Sequence, residues 1–170
     1  MPDNHEQFML AALKEAEAAL ARGEFPVGCV IVSDGEIIVR DGRQHSRQSS
    51  ERPASELEHA EINALRALRR QQPLLPMERV TVYSTMEPCL MCYSTLLVNG
   101  VRRFVYAYED IMGGGTNLPL DRLSPLYKNM RTTITPGVLR SESLALFKSF
   151  FSGPQTYLRG TILAQYTLDA

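Results

Sequence analysis

The sequence predicts an α/β fold, and three observations carry that prediction. Apolar residues recur at helical spacing in some segments, β-branched runs fill others, and the two kinds alternate along the chain. Alternation of this kind favours strands interleaved with helices over separate all-α or all-β layers. Met9, Leu13, Ala16 and Leu20 fall on one helical stripe, and Gly23 is placed to end that helix. Residues 27–33 and 36–40 read as strands joined by Asp34-Gly35, a strong two-residue hairpin signal. Residues 41–56 are polar and rich in Arg and Ser, which suits a surface loop. Ile62, Leu65, Ala67 and Leu68 make a second helix apolar on one side, and Pro73 and Pro76 break the chain before a buried strand at 79–84. A third helix is expected over 89–99 with Gly100 as its stop, then a strand over 103–108. A short helical piece at 123–129, a strand at 132–135 and a helix at 141–151 follow, and Gly153-Pro154 separates the last helix from a final segment.

Bulk properties bound the function. A chain of 170 residues suits one domain covering residues 1–170 and can bury a single core. With 44% hydrophobic and 22% charged residues the composition is that of an ordinary soluble protein. The formal charge of −1 does not advertise nucleic-acid binding, which usually brings a basic surplus. No apolar run approaches the roughly 20 residues that span a bilayer, so no membrane partner is expected. Residues 1–6 lack the basic and apolar regions of a secretory leader. Three cysteines, two of them in Cys-x-x-Cys, do not make a disulfide framework, and a reducing cytoplasm is the simplest setting.

The chemistry concentrates in His59-Ala60-Glu61 and Pro88-Cys89-Leu90-Met91-Cys92. Catalytic zinc sites take three protein ligands and leave the fourth position open. His59, Cys89 and Cys92 supply three, and Glu61 is left to handle protons. Cys89 and Cys92, three apart, share one helical face, and a helix N-terminus favours their thiolate forms. His59 and Glu61 are harder to reconcile, because two residues on a regular helix differ by about 200° of rotation. They serve one site only if the helix begins close to His59. Ser55-x-x-Glu58 reads as a capping box that would start it earlier. With these groups in one site, the chemistry that fits is addition of water to an amidine-like carbon and expulsion of ammonia.

These motifs resemble those of the zinc-dependent cytidine deaminase superfamily, whose known signature is H-x-E with P-C-x-x-C. The chain is most similar to the branch of tRNA adenosine deaminases, guanine deaminases and related nucleoside deaminases. Phe25-Pro26-Val27-Gly28, residues 59–65, residues 82–92 and residues 134–139 carry the similarity, which spans roughly residues 5–152. The resemblance implies a three-layer α/β/α sandwich around a five-stranded mixed sheet, Zn²⁺ held by His59, Cys89 and Cys92, and Glu61 as proton shuttle. It also implies a homodimer or larger assembly. Where tRNA adenosine deaminases place an asparagine after the second strand, the matching position here is Gln44, in a loop several residues longer than theirs. By the same resemblance Val27 and Glu109 are substrate-binding candidates beside Gln44.

Other readings stand beside these. Cys29 as a fourth ligand would close the site into a structural Cys₃His centre, making a non-catalytic interaction module, whereas strand cysteines are more often small buried hydrophobes. Cys-x-x-Cys alone also suits a structural zinc half-site or a redox pair. Glu87 is either a substrate contact or a capping group. Tyr106, Tyr108, Phe150, Phe151 and Tyr157 either stack a base or fill the core. The run Gly113-Gly114-Gly115 is a lid hinge or a tight turn. Arg43, Arg47 and Arg52 hold phosphate or decorate a solvated loop. Near-neutral charge and the altered loop place a free nucleobase or nucleoside, purine-like, ahead of tRNA as the substrate.

Overall fold

The computed structural model of the chain describes residues 4–170. The part of the leader reading that falls on residues 1–3 lies outside them. In order the elements are α1 (His5–Ala21), β1 (Gly28–Ser33), β2 (Glu36–Gly42), α2 (Ala60–Gln71), β3 (Val80–Met86), α3 (Leu90–Val98), β4 (Arg103–Tyr108), α4 (Pro125–Lys128), β5 (Thr133–Thr135), α5 (Arg140–Ser152) and α6 (Ile162–Asp169). The five strands form one sheet in the order β2-β1-β3-β4-β5. The pairs β1–β2 and β1–β3 are antiparallel, whereas β3–β4 and β4–β5 are parallel, so the sheet is mixed as expected.

The hairpin forms as its sequence requires, with Asp34 at φ 51° and Gly35 at φ 80°, the left-handed pair that a tight turn between twisted strands demands. Strand β1 is buried along its whole length, so it sits inside the sheet with both faces covered. On one face Met9, Ala12 and Leu13 of α1 pack on Val30, Val32, Tyr83 and Val105. On the other, Ala64 and Leu68 of α2 and Leu96 of α3 pack on Cys29, Ile31, Val82 and Phe104. Helix α1 comes so close to the sheet that a Cβ on Gly28 would lie 2.0 Å from the Ala12 carbonyl oxygen and 2.5 Å from the Ala16 nitrogen.

Two parts of the chain differ from expectation. The helical piece near 123–129 shrinks to the single turn of α4. The final segment folds back as α6, opened by Thr161, whose hydroxyl accepts from the Ala164 amide at 3.3 Å. Tyr108 and Thr167 share a buried hydrogen bond of 3.0 Å that ties α6 to the end of β4. Phe25 gathers Phe147, Phe150, Phe151 and Tyr157 around its ring at centroid distances of 5.1 to 6.1 Å, which joins this C-terminal region to the entrance of β1. Phe150, Phe151 and Tyr108 are therefore core residues. No helix among the described residues is long and apolar enough to cross a membrane.

Candidate active site

Helix geometry required the two motifs to sit at helix starts, and they do. His59 is the N-cap of α2, at φ −67° and ψ 147°, and Cys89 is the N-cap of α3, at φ −65° and ψ 170°. Because His59 stands outside the helix in extended conformation, the two-residue step to Glu61 no longer turns the side chains apart. The rival capping box does not form: Ser55 Oγ accepts from the Leu57 amide and the helix starts at Ala60. His59 Nδ1 lies 3.6 Å from Cys89 Sγ and 3.5 Å from Cys92 Sγ. The three donor atoms all fall within 4.8 Å of one another, and among the described residues they are the one such cluster of possible metal ligands. One imidazole and two thiols at this spacing fit zinc, with a fourth tetrahedral position left over.

Glu61 is buried beside them. Ser84 Oγ donates to its Oε1 at 2.9 Å, and Cys92 Sγ donates to its Oε2 at 3.6 Å. Burial pushes the carboxyl above the usual range, opposed by His59 and the Ser84 bond. The two thiols divide their protons unequally. Cys89 is held well below the usual thiol range by the Cys92 and His59 hydrogen bonds, while Cys92 is pushed up by that same bond, by burial and by the Glu61 charge. Burial alone would depress His59, but its bond to Cys89 and the Glu61 carboxylate outweigh that and raise it. Cys29 is buried in β1 opposite Ser84 and takes no part in the donor cluster. Its thiol is pushed well up by burial and by the Glu61 charge.

The donors open on a cavity of about 210 Å³. Val27 lines it, as do Phe25, Met86, Glu87, His59, Glu61 and Cys89. Gln44 and Glu109 do not. The Gln44 amide donates to Asp41 Oδ1 at 3.2 Å, and Arg43 lines the cavity instead. Glu109 is taken up by Arg140, whose Nε donates to it at 2.8 Å, and by the Tyr166 hydroxyl at 2.7 Å, while Asp110 reaches the cavity. The cavity is thus lined by the residue next to each expected one. Burial raises the Asp110 carboxyl, against the Gly113 and Met112 amides that hydrogen-bond it. Glu87 is an anchor: its carboxylate accepts from the Asp110 and Thr116 amides at 3.1 and 3.3 Å. The glycine run is a packed turn, since Gly115 donates to the Pro88 carbonyl at 2.9 Å and a Cβ there would lie 2.7 Å from the Leu90 Cα. Tyr157, Leu158 and Leu163 close the cavity from the C-terminal segment, a contribution no motif announced.

Residues 2–108 match the family model of the cytidine and deoxycytidylate deaminase zinc-binding region. The chain belongs to this family. Its members are zinc-dependent hydrolytic deaminases, and the fold and donor set agree with that chemistry. Among curated relatives, the tRNA-specific adenosine deaminase of Streptococcus pyogenes is 32% identical over 144 residues, which is 85% of this chain and 87% of that one. The corresponding enzyme of Bacillus subtilis is 31% identical over 146 residues, covering 86% and 88%. Among solved structures, a deaminase of A-to-I editing at the wobble position of transfer RNA superposes with a TM-score of 0.68 at 28% identity, covering 82% of this chain and 98% of that one. A guanine deaminase from Nitrosomonas europaea gives 0.66 at 21% identity, over 85% and 83%, a likeness of fold alone.

Proposed function

We propose that this deaminase removes the 6-amino group of adenosine presented by transfer RNA, leaving inosine and ammonia. The relatives named for that activity match over more than four fifths of both chains. Their weight exceeds that of the near-neutral charge, which points to a free base. Net charge is an average over the molecule, whereas RNA needs only a local basic surface. Arg69 and Arg70 stand exposed at the end of α2 and can contribute to one.

In this reading His59 Nδ1, Cys89 Sγ and Cys92 Sγ hold the zinc ion. A bound zinc supplies the Lewis acidity that makes water a nucleophile near neutral pH. Glu61 moves the protons. Ser84 fixes its Oε1, so Oε2, whose neighbour Cys92 Sγ would be a thiolate with zinc bound, is the oxygen left to take a proton from the attacking water and pass it to the purine ring nitrogen; Glu61 then carries the proton of the added hydroxyl to the amine, which departs as ammonia as the C6 carbonyl forms. A carboxyl raised by burial suits that shuttle, since it holds a proton more readily than an exposed carboxylate does. Val27, Met86 and Phe25 supply an apolar surround for the base. Asp110, next to the glycine turn, is the polar group best placed to contact the sugar or the base edge. We place the reaction in the cytoplasm and give the chain a second copy as partner, a pairing supported by the exposed apolar side chains of Leu90 and Val98 on α3.

Glu61→Ala is expected to keep its zinc content while losing about 10²–10⁴-fold in turnover. Unchanged ammonia release by that variant would remove Glu61 from the mechanism. For the substrate, inosine should form in an anticodon stem-loop RNA while free adenosine, adenine and guanine are left alone. The second reading, a free purine base or nucleoside, has one specific support: Tyr157 and Leu158 of the C-terminal segment add to the walls of the cavity. Ammonia released from guanine or adenosine, with none from RNA, would put it first.

A further inference from the structure

Beyond the ligands themselves, a carboxylate that no motif singled out holds the far side of the histidine ring. His59 Nδ1 faces both thiols, so the other nitrogen, Nε2, must carry the proton of a neutral ligating ring. Nε2 lies 3.2 Å from Glu56 Oε2. A carboxylate whose side chain is 66% exposed would ordinarily wander in solvent. This one is gripped. The Tyr157 hydroxyl donates to the same oxygen at 2.8 Å, and Arg43 Nη2 approaches it at 3.4 Å. Arg43 is itself immobile: it is 1% exposed, its Nη1 donates to the carbonyls of Gln44 and Ser55 at 2.6 and 2.8 Å, and its guanidinium lies 5.6 Å from the centroid of the Tyr157 ring. Two chain segments far apart in sequence, around Arg43 and Tyr157, therefore converge on one oxygen whose remaining neighbour is the ligand ring.

We propose that Glu56 is the positioning residue of the metal site: held by Arg43 and Tyr157, it accepts the His59 Nε2 proton and so fixes the ring's tautomer and direction for zinc. The proposal rests on His59, Cys89 and Cys92 being the ligands. Partners of this kind orient a ligating imidazole and raise its basicity, and their loss typically weakens metal binding by about 10–100-fold. The arrangement also makes zinc affinity depend on Tyr157, which lies beyond the 2–108 region matched by the family model.

The test is zinc affinity by chelator competition, with the thermal melt of the metal-free protein measured beside it. Glu56→Ala should weaken zinc binding by about 10–100-fold, and Glu56→Gln, which keeps a carbonyl acceptor, by less. Because Glu56→Ala leaves the buried Arg43 without its carboxylate, Tyr157→Phe serves as the milder probe; it should weaken binding a few-fold in the same direction while the metal-free melt stays put. Wild-type zinc affinity in Tyr157→Phe and Glu56→Gln, or a lowered metal-free melt with affinity unchanged, would overturn the positioning role. Failure of the wild type to bind one zinc per chain would instead overturn the ligand assignment, and the positioning role with it.

Discussion

Glu109 and Asp110 are adjacent acids with opposite surroundings. Arg140 and Tyr166 bind Glu109, and the Arg140 hydrogen bonds hold its carboxyl down at about 2, whereas burial lifts Asp110. The folded value of Glu109 lies below its ordinary 4.5, so its contribution to stability is present above that value and is lost as pH falls toward 2. Denaturant titrations of the wild type and Glu109→Gln should therefore differ by a constant amount above about pH 5 and converge below it. A difference independent of pH would show that the ion pair contributes nothing. At this scale the sequence was legible where chemistry dictates residue type. A tetrahedral metal needs particular donors at particular spacing, and His59, Cys89 and Cys92 announce it. It was illegible where one step of the backbone decides which side a residue faces. Arg43 rather than Gln44, and Asp110 rather than Glu109, reach the cavity, and both sit just past the end of a strand, where the period of two that orders side chains no longer applies. Glu56 carried no signal, because its importance comes from partners 13 residues before it and 101 after it.

Helices α2 and α3 each begin at a metal-site residue that caps them without a side-chain hydrogen bond. The divergence of His59 and Glu61 that a continuous helix would create is removed by that placement, and the helix start was foreseeable only by requiring both residues to serve one site. Gly28 is the matching demand on the other face. With Ala12 and Ala16 backbone atoms inside 3 Å of any added Cβ, Gly28→Ala must push α1 away from β1, and overpacking of this kind costs about 1–3 kcal/mol or more. Chemical denaturation measures it; a neutral result would mean that α1 slides freely on the sheet. The helix α6 escaped the sequence reading for a physical reason. Its eight residues are too few to form a helix unaided, since isolated helices need roughly 12–15. The Thr161 cap and the Tyr108–Thr167 bond hold it in place, and Thr161→Ala should lower stability by about 1 kcal/mol.

Across the whole molecule the α/β class and the order of the elements followed from hydrophobic periodicity and turn chemistry, which act locally, and the five-stranded mixed sheet from the family resemblance. The walls of the cavity did not, because they depend on how remote segments meet. A zinc ion shared by the starts of α2 and α3 joins two elements 30 residues apart, His59 to Cys89. Binding to the folded state alone stabilises it by about 4 kcal/mol at a free concentration a thousand times Kd, so chelation should lower the melting temperature and readdition of zinc should restore it. A melt indifferent to chelator would mean that the metal is dispensable for the fold. The lining of the cavity runs from Phe25 to Leu163, nearly the length of the chain. A ribosome must therefore release almost the entire polypeptide before the pocket can close. A product terminated or clipped between Cys92 and Tyr157 emerges with the thiol ligands made and the chamber around them unfinished, so recovered activity counts only molecules synthesised past that chamber's last wall.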